Sequence, residues 1–281
     1  MIRTDSRGGQ GAAMYLSAER LAHANQAVKE AFGQCSVAWQ AIPHWDTGDP
    51  GQLNVPNGLL GGSAGFLSLG PPPPPPPPPL PTVELTVAET IAPTPDALLT
   101  GVMAATKTLA NLFDTDVLKQ CFKSAPPPNN TISFKSTSAQ GLQDGLIGAR
   151  VLVENAGYRA PSCLVTNTAG LLKLNQLVSN YYNLFQQILD AANINSLYRF
   201  EPLDATDQKK VRMVLIGRRR RIAQAAAPDA SPGEEPVDLA FSVLPSLEVN
   251  GETGTGTIQF SPRIRYAARI TDATGLVALS E

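Results

Sequence analysis

Residues 258–270 alternate between two kinds of position. Ile258, Phe260, Pro262, Ile264, Tyr266, Ala268 and Ile270 are even-numbered; Gln259, Ser261, Arg263, Arg265, Ala267 and Arg269 are odd-numbered. Successive side chains on a strand point to opposite faces, so this period demands a β-strand with one buried side and excludes a helix. At about 3.4 Å per residue the strand is roughly 4 nm long. Val243, Leu247 and Val249 alternate ahead of it, and "NGETGTG" at 250–256 is rich in turn formers. A long two-stranded ribbon is therefore expected to close the chain, with "ATGLVALSE" adding a last short apolar strand. Strand edges of that length need partners.

A second constraint lies at Pro71–Pro79, nine consecutive prolines. In polyproline II form they span roughly 28 Å without internal hydrogen bonds. Proline offers no N–H to a ladder, so the tract is expected outside the core, on the surface or across a neighbour. Val83, Leu85 and Val87 then alternate with Glu84 and Thr86, which predicts a strand over 82–89. Residues 46–92 read as one long extended excursion, a length that is uncommon in a compact domain unless it serves a function. The stretch before the prolines, from Val37 to Gly70, is rich in Gly, Pro, Asp and Asn and reads as arm or loop.

Helices are expected on either side. "SAERLAHANQAVKEAF" (17–32) has Ser17 to cap it and Gly33 to stop it, with Leu21, Ala24, Val28 and Phe32 at helical spacing. Residues 94–122 form the strongest helix, with Thr94 as cap, Pro95 at the first position and Asp96 at the positive end. Its apolar stripe is Leu98, Val102, Ala105, Leu109, Phe113 and Val117. From 138 helices and short strands mix: a helix closed by Gly157, a buried strand in "SCLVTN", one or two helices in 168–192, and strands in "SLYRFEPL" and "VRMVLIG".

No catalytic constellation emerges. His44 stands in "PHWDTGD" beside Asp46 and Asp49, but the spacing suits no zinc motif and the segment reads as a packed loop. "NGETGTGTIQ" imitates a phosphate loop, yet no helix follows it. Cys35, Cys121 and Cys163 are widely spaced and read as free thiols. No metal or cofactor site is assigned. Arg218–Arg221 is the sharpest charge feature: it can touch nucleic-acid phosphates or pair with acids such as Glu234 and Glu235, in its own loop or between subunits, and pairing is favoured. The proline tract also has the character of an adaptor ligand, a reading that leaves the strand after it unexplained.

Composition fits these readings. Charged residues make up 16% of the 281 and hydrophobic ones 43%, as expected where much surface is buried against partners. The net charge of -2 gives no global field for nucleic acid. No apolar run is long enough for a membrane span, so no membrane association is expected, and residues 1–13 lack a secretory h-region and are expected to be disordered.

The order of elements resembles the major capsid proteins of tailed bacteriophages and their relatives, the encapsulin shell proteins. "GYRAPSCLVTNTAGLLKLNQL" (157–177) is similar to the segment in which an apolar strand ends in Asn and leads into a helix. Residues 237–281 are similar to the closing element, where a long strand ends in an R-I-T-D phrase, here from Arg269 to Leu279. The resemblance implies an α+β tailed-phage capsid fold: an N-terminal arm (1–45), an extended loop (46–92), a peripheral domain of spine helix and long β-sheet (93–137 and 237–281) and an α/β axial domain (138–236). It implies a non-enzymatic major capsid protein that self-assembles into pentamers and hexamers of an icosahedral shell around double-stranded DNA. Its partners would be itself, the DNA, and scaffold, portal and decoration proteins; its place would be the virion capsid, assembled in the bacterial cytoplasm. An encapsulin-type compartment enclosing cargo protein and a polyproline-bearing interaction protein are the alternatives. The proline tract departs from the family pattern. Some members crosslink a loop lysine to a neighbour's asparagine; residues 46–92 contain no lysine, so no such crosslink is expected from that loop.

Overall fold

The computed structural model of the chain describes residues 16–59, 65–73, 80–125, 130–178, 182–204, 210–231 and 233–281. The expectations for residues 1–13 and for Pro74–Pro79 lie outside the described residues.

Helix α1 spans Ala18–Cys35, with the Ser17 hydroxyl accepting from the Arg20 amide. Ala24, Val28 and Phe32 are buried along it as their spacing requires. It runs through Gly33 rather than stopping there. A mid-helix glycine costs only about 1 kcal/mol, and the stop comes at Ser36, whose backbone turns extended while its N–H still bonds the Phe32 carbonyl. The Ser36 hydroxyl then caps a second helix, α2, at Val37–Ala41. The segment expected to be featureless arm or loop thus holds α2 and three short strands: β1 (His44–Asp46), β2 (Asn54–Pro56) and β3 (Phe66–Ser68). Each is three to five residues long, too short to show a period in sequence.

Strand β4 covers Val83–Thr86 and ends earlier than the alternation suggests. Thr86 and Glu89 form a reciprocal capping box that starts α3 at Val87–Ile91, so Val87 leaves the strand and is exposed. The spine helix α4 covers Asp96–Ser124, 29 residues and about 43 Å. Its N-cap is Pro95, without a side-chain hydrogen bond, and not Thr94. The helix thus starts at Asp96, one residue later than expected. The whole expected stripe from Leu98 to Val117 is buried. Gly101 lies beneath β4, where a Cβ would fall 2.7 Å from a Val83 methyl.

After α4 come β5 (Thr131–Ser133), α5 (Ala139–Asn155) and β6 (Ala160–Thr166). Gly157 ends the turn after α5 in the left-handed region, at φ +94°, while the Tyr158 amide reaches back to the Val153 carbonyl at 2.9 Å. Asn167 caps α6 (Thr168–Leu174). A short hairpin, β7 (Leu177–Val178) with β8 (Tyr182–Asn183), separates α6 from α7 (Phe185–Ala191). Then follow β9 (Ile194–Arg199), β10 (Arg212–Arg218), β11 (Val237–Glu252), β12 (Thr257–Ile270) and β13 (Leu276–Ser280).

Two sheets organise these elements. The ribbon sheet has the order β1-β11-β12-β4, with β1 parallel to β11 and the other pairs antiparallel. Gly70 also bridges Tyr266 on the β4 side of β12. The second, mixed sheet has the order β5-β13-β10-β6-β9. The largest core joins the C-terminal half of α4 to the root of the ribbon and to one face of the second sheet, through Phe113, Val117, Phe241, Ile264, Cys163 and Ile216 among others. A separate core lies between the opposite face of that sheet and α5. A third joins α1, the first half of α4 and the distal ribbon. At the root of the ribbon, β2 and β3 cover the odd-numbered face, burying Val55, Leu69, Ala240 and Ala267 together.

Candidate functional site

Arg218–Arg221 lie at the end of β10 and in the turn after it. Their side chains divide between the core and the surface. The Arg218 guanidinium is buried and donates to the Ala41 carbonyl at the end of α2. Arg219 donates to the Tyr158 hydroxyl at 3.2 Å, stacks on that ring at 4.9 Å and stands 3.9 Å from the Asp272 carboxylate. Arg220 meets Glu234 at 3.4 Å and the Ser231 hydroxyl at 3.1 Å. Glu235 is buried and accepts from the Arg219 amide. Burial pushes its carboxyl up, against the pull of Arg218 first and of Arg220 and Arg219 after it. Three of the four arginines are thus tied within their own chain, and Arg221 is exposed.

The root of the extended loop is held by a second cluster. Arg269 makes a two-pronged ion pair with Asp238 across the ribbon, both contacts at 2.7 Å, with the carboxylate fully buried. The same guanidinium reaches the Pro56 carbonyl at 3.3 Å and lies 5.0 Å from the Trp45 ring, whose indole N–H donates to Asp238 at 3.2 Å. The returning end of the loop is held similarly: Arg20 of α1 donates to the carbonyls of Thr90 and Ala92. A forked guanidinium suits such multi-point capture.

His44 belongs to β1, paired opposite Leu239, and not to a loop. Its ring stacks on Trp39 at 3.6 Å. Asp46 and Asp49 serve local turns, accepting from the Gly48 and Gly51 amides. Among the described residues no group of His, Cys, Asp or Glu has the geometry of a metal site, and no helix is long and apolar enough to cross a membrane. The cysteines are free, Cys35 exposed and the other two buried; burial pushes the Cys121 thiol up to about 12.

Sequence reasoning missed Asp114. This carboxylate projects from the middle of α4 into the core and accepts from the Ser36 hydroxyl at 2.6 Å and from the Val37 and Ala38 amides at 2.8 and 3.0 Å. The "LFDTDV" context places it beside the apolar stripe, but nothing in it tells a solvated acid from a buried one.

The exposed apolar residues mark another surface. Leu53, Leu59 and Phe66 stand out on the segments around β2 and β3, Phe66 at 76% exposure, and Val87 and Ile91 on α3. Exposed apolar side chains of this size are candidates for contact with a neighbouring molecule where they adjoin one another.

This arrangement of spine helix, long ribbon, extended loop and separate mixed sheet defines a class: the fold is that of tailed-phage capsid proteins and encapsulin shell proteins. The chain is similar to the virus-like particle from Pyrococcus furiosus, with a TM-score of 0.60 at 15% identity, covering 93% of this chain and all of the other. It is similar to a phage-related protein from Bordetella bronchiseptica, with a TM-score of 0.64 at 8% identity over 90% of this chain and 95% of that one. The holo encapsulin complex from Synechococcus elongatus matches with a TM-score of 0.54 at 8% identity over 87% of each chain. No protein-family model and no curated protein matches the sequence.

Proposed function

We propose that this chain is a major capsid protein that self-assembles into pentamers and hexamers of an icosahedral shell enclosing a phage double-stranded DNA genome. The observation that carries the reading is the near end-to-end match of fold to the virus-like particle, across 93% of one chain and all of the other. The exposed apolar residues around β2, β3 and α3 support it as surface that a neighbouring subunit could cover. Residues 1–45 form the arm, 46–92 the loop reaching over a neighbour, 93–137 with 237–281 the peripheral domain and 138–236 the axial domain. The protein acts without catalysis, with scaffold, portal and decoration proteins as accessory partners, and resides in the virion after assembly in the bacterial cytoplasm.

An encapsulin-type compartment enclosing cargo protein is the second reading, favoured by the likeness to the encapsulin complex. Negative-stain microscopy of the purified protein tests both. Closed particles of uniform size are expected, and stable monomers under varied salt, even with the neighbouring genes co-expressed, would falsify the assembly reading. Nuclease-protected DNA inside the particles separates a capsid from a protein compartment.

A further inference from the structure

Ser36 already caps α2 with its own hydroxyl, which accepts from the Trp39 amide at 3.0 Å. Asp114 brings a second, buried acceptor to the same turn, from the middle of the spine helix. A charge at 1% exposure is costly, and no Lys, Arg or His stands within ion-pair distance of it among the described residues. Among the described residues its three partners all come from one turn of the arm. The arm therefore decides whether this carboxyl is solvated by water or by protein.

We propose that Asp114 is a proton-operated latch that couples docking of the Ser36–Ala41 turn on the spine helix to pH. When the carboxyl takes up a proton, Oδ1 donates to the Ser36 hydroxyl oxygen and still accepts from Ala38, the Ser36 hydroxyl keeps its proton but gives up its donation to Asp114, and Oδ2 still accepts from Val37. The neutral group keeps the turn in place without a buried charge. When it ionises, the three donors remain but the charge draws the turn open toward water.

The direction follows from burial, which pushes the Asp114 carboxyl up to about 7 against the hydrogen bonds from Ser36, Ala38 and Val37. A carboxyl that binds its proton more tightly in the docked state than in the open one stabilises docking below its ordinary pKa. That stabilisation is lost as pH rises from about 4 to about 7, and docking no longer changes above that. The other titratable or charged groups about the latch among the described residues include Tyr266 of β12, whose hydroxyl donates to Asp116 of α4 at 2.7 Å; Tyr198 of β9, whose hydroxyl donates to the Gln40 carbonyl at 3.4 Å; Arg218 of β10, on the Ala41 carbonyl; His44 of β1, stacked on Trp39; and Cys35 at the end of α1. Of these residue types, histidine is the one whose unperturbed pKa, about 6.5, lies inside the window, which makes His44 the control.

Hydrogen exchange of the Val37 and Ala38 amides in the full-length chain, corrected for intrinsic rates, reads the latch. Protection in the wild type is expected to fall by up to about tenfold per pH unit between pH 5 and 7 and then level off. Asp114→Asn copies the neutral carboxyl and is expected to abolish the slope, while His44→Phe keeps it. An unchanged slope in Asp114→Asn, a flat wild-type profile, or a slope that vanishes in His44→Phe would each overturn the proposal. Titration of the Asp114 carboxyl carbon by NMR in the wild type needs no variant to fold; a midpoint near 7 is expected, and one below 5 defeats the latch. None of these outcomes depends on whether the chain forms shells.

Discussion

Ile264 is 1% exposed and packs in the main core with Phe113 and Tyr266, while its neighbour Arg263 points the other way and pairs with Glu248 at 2.8 Å. Ile264→Asp places an unpartnered carboxylate in that core and is expected to cost about 4 kcal/mol or more, enough to abolish a marginally stable fold. Arg263→Gln removes an exposed ion pair and is expected to cost less than about 1 kcal/mol. Chemical denaturation of the two variants checks the register; equal midpoints for Ile264→Asp and wild type would place β12 one residue out. The period-two alternation alone makes the opposite facing of these two residues legible. Asp114 and the Asp238–Arg269 pair are not legible in that way, because a buried charge is written in the sequence with the same letter as a solvated one. Only the approach of Ser36 to α4, or of Trp45 and Pro56 to the ribbon, shows that these carboxylates are buried.

The two ribbon strands differ in how clearly they announce themselves. The register between β11 and β12 slips by one residue at three places, between Phe241 and Val243, between Val243 and Ser246, and between Val249 and Gly251, and each extra residue falls in β11. Each slip reverses the face that the following β11 residues present. This is why the period holds for all of β12 and breaks in β11. The spine helix was legible because its stripe is long, and α2, β1, β2 and β3 were not because their partners are distant in sequence. The proline tract is an element of a third kind. Its first described residues, Pro71 and Pro73, are exposed while Pro72 is buried, close to where Gly70 joins Tyr266. Replacing Pro74–Pro79 by a Gly/Ser tract of equal length is expected to leave the subunit circular dichroism unchanged and to lower the melting temperature of assembled particles, since a floppier segment loses more entropy on ordering. Particles as heat-stable as wild type would show that the tract has no part in assembly.

At the scale of the molecule, the apolar residues around β2 and β3 are what a neighbour would cover. Phe66→Asp changes a residue at 76% exposure, so the subunit is expected to fold with an unaltered melting curve while light scattering reports fewer and smaller assemblies. A variant that assembles at the wild-type concentration would move the contact elsewhere. The order of elements, and with it the fold class, could be read from the chain; the pairing of β13 with β10 and of β1 with β11 could not, because such long-range contacts leave no local signal. Pro262 has a consequence at this same scale. Tyr266 turns both its N–H and its C=O to Gly70, and because the register slips fall in β11, β12 alternates without interruption and its even residues face the same side. Pro262 therefore lies between the junctions at Gly70 and Val83, two residues from Phe260 and four from Tyr266, with no N–H to offer a foreign strand. A closed object needs a fixed valence, and a ribbon able to recruit strands along its flank would grow into an open fibre instead. With no N–H at Pro262, this flank of β12 has one donor fewer for such recruitment.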